Sequence, residues 1–426
     1  MLRRYRDVNW AIADQALVSG VNFTVTLLLA RLLGLEEFGW FAVVWMIILS
    51  IKRLQYALIL APVQSIAAKY DANGNHTYFT SVLVQQVGFA VLSASLVFLC
   101  AWAASLYFPT WGRHHLALPM AAVVFADQLQ EHLRRWFFSH GRERTAFLID
   151  VLSYPGRLAA IASWVMLSEK LKVGEVVWVI AAAATASALC GLALQERWEW
   201  DGQAARQIAV RHWSFSKWLV ASSLIDSAAQ YVMTLVAGAV LGVAAVGAIR
   251  ATQNVLAPIY VMNLALNNVV PAQASRIYEA RGLAGMTRYL TKIALSAGGV
   301  GLLIALVACA APEAWLHLLY GSKYGPFSTL VYWQAAIFTL STLTLPITVA
   351  LRAVENTRPM FVSKGLQAAF ALATCYWLAS NFGLSGTMFG SLCTSLIALA
   401  VMGGALGKCL RPSGTSLREL QVDGRA

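Results

Sequence analysis

The sequence predicts an all-α polytopic membrane protein. About 12 transmembrane helices are expected, in two six-helix lobes related by a pseudo-two-fold axis along the membrane normal. Three observations carry this. Of 426 residues, 59% are hydrophobic and 12% are charged, with mean hydropathy +0.63. Lys and Arg alternate in density from loop to loop. The first and seventh apolar stretches also repeat one another. Such hydropathy excludes a water-soluble globular, disordered or fibrous chain. The 32 Lys and Arg against 20 Asp and Glu leave a net charge of +12, which needs its own explanation.

A membrane-crossing helix takes about 20 apolar residues. Twelve stretches qualify, at about 11–33, 38–62, 81–107, 116–136, 146–167, 174–194, 218–241, 246–270, 289–310, 328–350, 360–381 and 385–407. They are too long for barrel strands and lack the strand alternation. Arg3, Arg4 and Arg6 precede a first stretch broken by Asp14, Gln15 and Asn22, without a small-residue cleavage site. It is expected to be a retained helix and not a signal peptide. Six cysteines (Cys100, Cys190, Cys309, Cys375, Cys393 and Cys409) are scattered singly and are expected to be buried apolar residues, without disulfides or metal.

Sorting cations by loop gives 23 on one side and 4 on the other. The rich side holds the amino terminus and the loops with Lys69, Arg134 to Arg144, Arg197 to Lys217, Arg276 to Lys292 and Arg352 to Lys364, with the tail from Lys408. The poor side holds Arg113, Lys170, Lys172 and Lys323. The positive-inside rule then places both termini in the cytoplasm of a multi-pass protein of the cytoplasmic (inner) membrane. Trp10, Trp40, Trp111, Trp198, Trp213, Trp218 and Trp315 fall at span ends, as interfacial anchors would.

A shift of 208 residues brings Trp10 onto Trp218, Ser19 onto Ser227 and Thr26-Leu27 onto Thr234-Leu235. It also brings Leu33, Gly34 and Gly39 onto Leu241, Gly242 and Gly247, a Leu-Gly-x4-Gly pattern in the outer turn after the first helix of each half. Pro62-Val63-Gln64 is matched by Pro271-Ala272-Gln273. The expected organisation is a lobe over 1–195, a cytoplasmic linker over 196–217, a second lobe over 218–408 and a cytoplasmic tail over 409–426. Six helices per half insert both lobes the same way up. Such proteins bind substrate at mid-membrane between lobes that rock.

The stretch Leu29-Ala30-Arg31-Leu32-Leu33-Gly34-Leu35-Glu36-Glu37-Phe38-Gly39-Trp40-Phe41 resembles the first outer turn of the polysaccharide transporters, the lipid-linked oligosaccharide (O-antigen) flippases. Arg134-Arg135-Trp136-Phe137-Phe138-Ser139-His140-Gly141-Arg142 is similar to their segment after the fourth span. These transporters share a superfamily with the multidrug and toxin extruders. The resemblance implies a V-shaped two-bundle fold. It also implies a flippase that carries an oligosaccharide on undecaprenyl diphosphate from the inner to the outer leaflet, for O-antigen, capsule or exopolysaccharide. Implied partners are membrane lipids, a polysaccharide polymerase and glycosyltransferases, without nucleic acid. No cofactor is expected beyond a coupling proton or sodium ion.

Five cations remain inside spans: Arg31, Lys52, Arg53, Arg157 and Arg250. A charge there costs several kcal/mol by insertion scales and needs a partner, a wet cavity or a role. One reading is a cationic cavity that neutralises a diphosphate, for which the planar fork of Arg is suited. The other is interior ion pairing, above all Arg157 with Asp150, which shares its helix face with Tyr154 between them. Asp127, Glu131 and Arg135 are four apart and form either a salt-bridge ladder or an inner gate. Gln15, Ser19, Asn22 and Thr26 form one polar stripe, and Ser223, Asp226, Gln230 and Thr234 another. Asp14 and Asp226 are candidates for ion coupling. Pro155, Pro258 and Pro346 are expected to bend spans.

The alternatives are a cation-coupled multidrug extruder and a polytopic membrane glycosyltransferase or ligase. No nucleophile, zinc or nucleotide motif occurs, and Gly404 to Lys408 only superficially resembles a phosphate loop. The longest outer loop, about 311–327 with Glu313, His317 and Lys323, is too short for an active-site domain. A non-enzyme is therefore expected.

Overall fold

The computed structural model describes residues 2–66, 76–107, 114–167, 171–195 and 198–410, with backbone alone for 2–9, 11, 12, 66, 114 and 410. Lys69, Trp111, Arg113, Lys170, Arg197 and the tail's Arg411, Arg418 and Arg425 lie outside the described residues. Every regular element among those described is helical.

The helices are α1 (Leu2–Gln55), α2 (Ala61–Ile66), α3 (His76–Tyr107), α4 (Ala117–Ser139), α5 (Glu143–Leu167), α6 (Val173–Ala193), α7 (Gly202–Leu241), α8 (Val243–Val255), α9 (Ala257–Ala310), α10 (Pro312–Tyr320), α11 (Thr329–Ala353) and α12 (Arg358–Leu410). α1, α9 and α12 are interrupted at Gly34, Gly282 and Gly383, each with positive φ and extended ψ. Only glycine tolerates that conformation at little cost, so each glycine ends one pass and starts another. Eight of the described helices are long and apolar enough to cross a membrane. Split at these kinks they carry eleven of the expected spans. α4 carries the remaining one, and its four charges in nine residues explain its weaker apolar signature.

The exposed faces fit lipid. On α3 Leu92, Leu96 and Leu99 are all more than half exposed and line one helix face. Trp198, Trp213 and Trp218 are exposed, as anchors are. Trp40 is a correction: it is 5% exposed and packs inside. Its neighbours Phe38 and Phe41 are buried as well, so this turn belongs to the core. All six cysteines are free thiols, but Cys100 and Cys190 are exposed where burial was expected. Pro258 interrupts its span as expected: it occupies the first turn of α9, where a missing N–H costs nothing, and the chain breaks just before it at Leu256.

The chain divides into two compact units, Met1–Ala251 with Leu316–Pro326, and Thr252–Trp315 with Phe327–Ala426. In the first, α4 packs against α3 and α6, and α5 against α1 and α6. Its core gathers Ile59, Tyr78, Phe79, Leu133, Trp136, Phe137 and Ile149. The second motif of the sequence supplies part of this core: Arg142 lies over the Phe137 ring at 4.9 Å, and Gly141 turns the chain with φ 67°. In the second unit, α11 lies between α9 and α12, around Val270, Met286, Leu290, Leu345 and Val349.

The repeat-related turns meet within the first unit. Gly34 and Gly242 share a backbone conformation, φ 74° with ψ 176° and φ 91° with ψ 158°. A methyl group at Gly39 would collide with the Val243 carbonyl oxygen, and one at Gly247 would lie 2.5 Å from the Leu35 carbonyl oxygen. In the same turn the Glu37 carboxylate accepts the Val173 N–H at 2.9 Å, capping the first turn of α6.

Candidate functional site

One helical face of α4 carries a buried ionic cluster shared with α1 and α5. The Lys52 ammonium lies 3.0 Å from Asp127 and 3.7 Å from Glu131. Arg135 donates to Glu131 at 2.7 Å, which is the expected ladder step. Arg134 holds both Asp14 of α1 and Asp150 of α5 and lies 3.7 Å from Glu131. Asp14 and Asp150 are 0% exposed. Buried carboxylates need a compensating cation, and Arg134 hydrogen-bonds Asp14 and ion-pairs with Asp150. Gln130 adds a bond to Asp150 at 3.3 Å and accepts one from Ser153 at 2.9 Å.

Arg134 corrects the sequence reading, which counted it among cytoplasmic loop charges. It lies inside α4, 7% exposed. Asp150 therefore belongs to Arg134, and not to Arg157 seven residues along the same helix. Arg157 donates to the Asn22 side-chain oxygen and lies 4.2 Å from the centre of the Tyr154 ring. It is 3% exposed, so it joins α5 to the polar stripe of α1. Part of the clue to Arg134 was present in the sequence: positions 127, 131 and 134 fall on one helix face.

Arg53 has a different setting. Its guanidinium donates to Asp226 at 3.1 Å and to the Gln230 side-chain oxygen, and stands 5.1 Å from the centre of the Tyr231 ring. All three partners are on α7, and two belong to its polar stripe. About a third of each charged side chain, 31% for Arg53 and 34% for Asp226, is open. Immediately beyond Lys52 and Arg53 the helix widens into a π turn at Tyr56–Leu60. Single-turn π insertions re-aim neighbouring side chains and recur at functional sites. Arg250 is half-buried on α8.

Arg31 is exposed and donates to the Leu318 carbonyl and, at 2.6 Å, to the Leu319 carbonyl at the end of α10. Sequence reasoning also missed a buried amide network next to Arg53. Gln55 donates to Gln86 at 3.0 Å and to the Gln128 carbonyl at 2.7 Å, and Gln128 donates to Ser93 at 2.6 Å. Amides and hydroxyls inside apolar spans were its only trace. Among the described residues no group of three or more His, Cys, Asp or Glu is arranged to hold a metal ion.

A search of curated protein sequences returns no match. Among solved structures, an inward-facing multidrug resistance MATE family transporter of the MOP superfamily superposes with TM-score 0.69 and 15% identity, over 94% of this chain and 96% of that one. The lipid II flippase MurJ, in an inward closed conformation, gives TM-score 0.71 and 10% identity, over 94% and 87%. A MOP superfamily transporter from Pyrococcus furiosus, described as having a binding pocket of reversed polarity, gives TM-score 0.52 and 14% identity, over 96% and 93%. At such identities the likeness is one of fold, and the fold is that of the MOP transporters. The family model described as polysaccharide biosynthesis protein matches residues 28–329, more than half of the chain. The chain is thus a multi-pass membrane protein that belongs to the polysaccharide biosynthesis protein family, with the fold of transporters and flippases.

Proposed function

We propose that the protein is a flippase of the cytoplasmic membrane that moves an undecaprenyl-diphosphate-linked oligosaccharide from the inner to the outer leaflet, by alternating access of the lobes 1–195 and 218–408, with both termini cytoplasmic. Surface polysaccharide assembly, alongside glycosyltransferases and a polymerase, is its context. The observation that carries the reading is Arg53. Lys52, Arg134 and Arg135 sit on carboxylates in the cluster, Arg157 is buried on Asn22 and Tyr154, and Arg31 caps α10. Arg53 instead is part-open, mid-span, and held by a carboxylate with the same two-oxygen geometry that a phosphate offers. A diphosphate entering here displaces Asp226 and gains two parallel charge-assisted bonds in a low-dielectric site. Gln230 and Tyr231 would keep the guanidinium aimed during the exchange.

A multidrug extruder of organic cations would need acids facing the cavity. Asp14, Asp127, Glu131 and Asp150 are engaged by Lys52, Arg134 and Arg135, which argues against that reading. No step of this proposal makes or breaks a covalent bond, so the protein acts as a transporter and not as an enzyme.

The test is binding of undecaprenyl diphosphate to the protein in nanodiscs, together with surface polysaccharide in cells. Arg53→Ala is expected to weaken binding at least ~10-fold, the worth of one charge-assisted contact of about 1.5–3 kcal/mol, and to abolish surface polysaccharide while the protein stays inserted. Asp226→Asn, which removes the displaced carboxylate, is expected to bind more tightly. Normal polysaccharide and unchanged binding in Arg53→Ala would sink the phosphate-clamp reading.

A further inference from the structure

We propose that the outer segment Leu316–Pro326 is a latch that must detach from α1 before the protein opens to the outside. In sequence this segment joins α9 to α11, and both of those helices belong to the second compact unit. In space it belongs to the first. Its attachment is specific. Arg31 of α1 donates to the carbonyls of Leu318 and Leu319, two of the last four of α10, which have no partner further along the helix. The guanidinium also meets the negative end of the α10 dipole. The Tyr324 hydroxyl donates to the Ala30 carbonyl at 3.0 Å, and its ring meets Phe38 edge-on, with centroids 6.5 Å apart.

Tyr324 is 1% exposed and Leu316 0%, so the segment is packed as core and not laid on a surface. Gly321, with φ 90°, turns the chain between α10 and the 3-10 turn Ser322–Phe327, and so presents Tyr324 to α1. The anchoring residues Ala30, Arg31 and Phe38 flank the Gly34 kink, the outer turn of the first lobe.

The consequence is mechanical. Because the segment is tied by the chain to α9 and α11, its seat on α1 tethers the helix ends that it joins. Its seat combines a few hydrogen bonds with one buried tyrosine and one buried leucine. That is enough to hold a closed state, yet it can be released in a single step. A loop that merely bridged two helices would need neither a cation on its carbonyls nor a tyrosine buried against α1.

The latch reading rests on alternating access, but its first test does not require transport. In a cysteine-free chain carrying Leu316→Cys, a membrane-impermeant maleimide applied from outside is expected to label slowly. Adding Arg31→Ala or Tyr324→Phe is expected to speed labelling at least ~10-fold, equivalent to about 1.4 kcal/mol of opening. Equal rates in all three chains overturn the latch. Should Leu316→Cys fail to fold, Tyr320→Cys, also buried, replaces it.

The second test joins Phe38→Cys to Tyr324→Cys with a short bis-methanethiosulfonate, which forms a disulfide with each thiol and releases methanesulfinate. Surface polysaccharide export is expected to stop on cross-linking and to return on reduction. Full export by the cross-linked protein overturns the latch. If the uncross-linked double variant and the parent chain both fail to export, the flippase reading is what falls, while the labelling result still decides the latch.

Discussion

Arg134 is the residue on which most of the buried charge depends. It contacts Asp14 on α1, Asp150 on α5 and Glu131 on its own helix, so one side chain stabilises the junction of three helices. Removing it leaves two fully buried carboxylates without their cation, a loss of about 3–5 kcal/mol by the behaviour of broken buried pairs. Arg134→Met should therefore lower the unfolding temperature in detergent sharply. Adding Asp14→Asn and Asp150→Asn to the same chain should recover most of the loss, because an uncharged, space-filling set tolerates burial. No recovery would show that Arg134 acts outside this junction. The sequence exposed the components but not the pairing. Asp14, Asp127, Asp150 and Lys52 stood out as charges in apolar stretches, and the spacing of Glu131 and Arg135 was legible. Helix periodicity says nothing about which residue of another helix lies opposite, so Asp150 was matched to Arg157 on its own face. Arg134 was lost to a loop because α4 runs on to Ser139, past the end of its apolar run.

Element by element, the glycine turns were the most readable feature. Leu-Gly-x4-Gly occurs in both halves, and both Gly34 and Gly242 adopt a conformation reserved for glycine. The second glycine of each pattern works differently, by removing a side chain where two backbones touch. Gly39→Ala and Gly247→Ala each place a methyl on a carbonyl oxygen and should each cost about 1–3 kcal/mol, the usual penalty of overpacking. Gly20→Ala, in the same helix as Gly39 with open space around it, should change stability by less than about 0.5 kcal/mol. Thermal unfolding of the three variants checks this, and equal effects at all three positions would refute it. Other element details were out of reach. The π turn at Tyr56–Leu60 has no compositional signature, and Trp40 looked like an interfacial anchor because its burial depends on partners distant in sequence.

For the whole molecule, charge and hydropathy together gave the all-helical, many-span architecture, because both act over segments and not single contacts. The membrane then fixes a sidedness that can be checked. In a cysteine-free chain, Ser322→Cys, exposed in the outer segment, should react with an impermeant thiol reagent on intact spheroplasts. Ser139→Cys, exposed at the end of α4, should react only after permeabilisation. The opposite pattern would invert the topology and with it the direction of transport. The net charge of +12 has a plain origin in this frame. On the proposed topology most cations hold the chain's orientation; Lys52, Arg157 and Arg31 are tied to named partners, and the anionic-substrate argument rests on Arg53.

The contact at the outer turns also bears on ancestry. Leu35 and Gly39 stand 208 positions before Val243 and Gly247, and each glycine meets the other turn's first residue. Reciprocal contacts of this kind define an isologous interface, in which a patch is its own complement across a two-fold axis. Here both copies of the patch lie on one polypeptide, as they would after two protomers of a smaller ancestral dimer were fused. Fusion releases the copies from strict identity everywhere except where they touch one another. A substitution in either glycine turn is therefore answerable to the other turn, and the two are expected to drift as a pair.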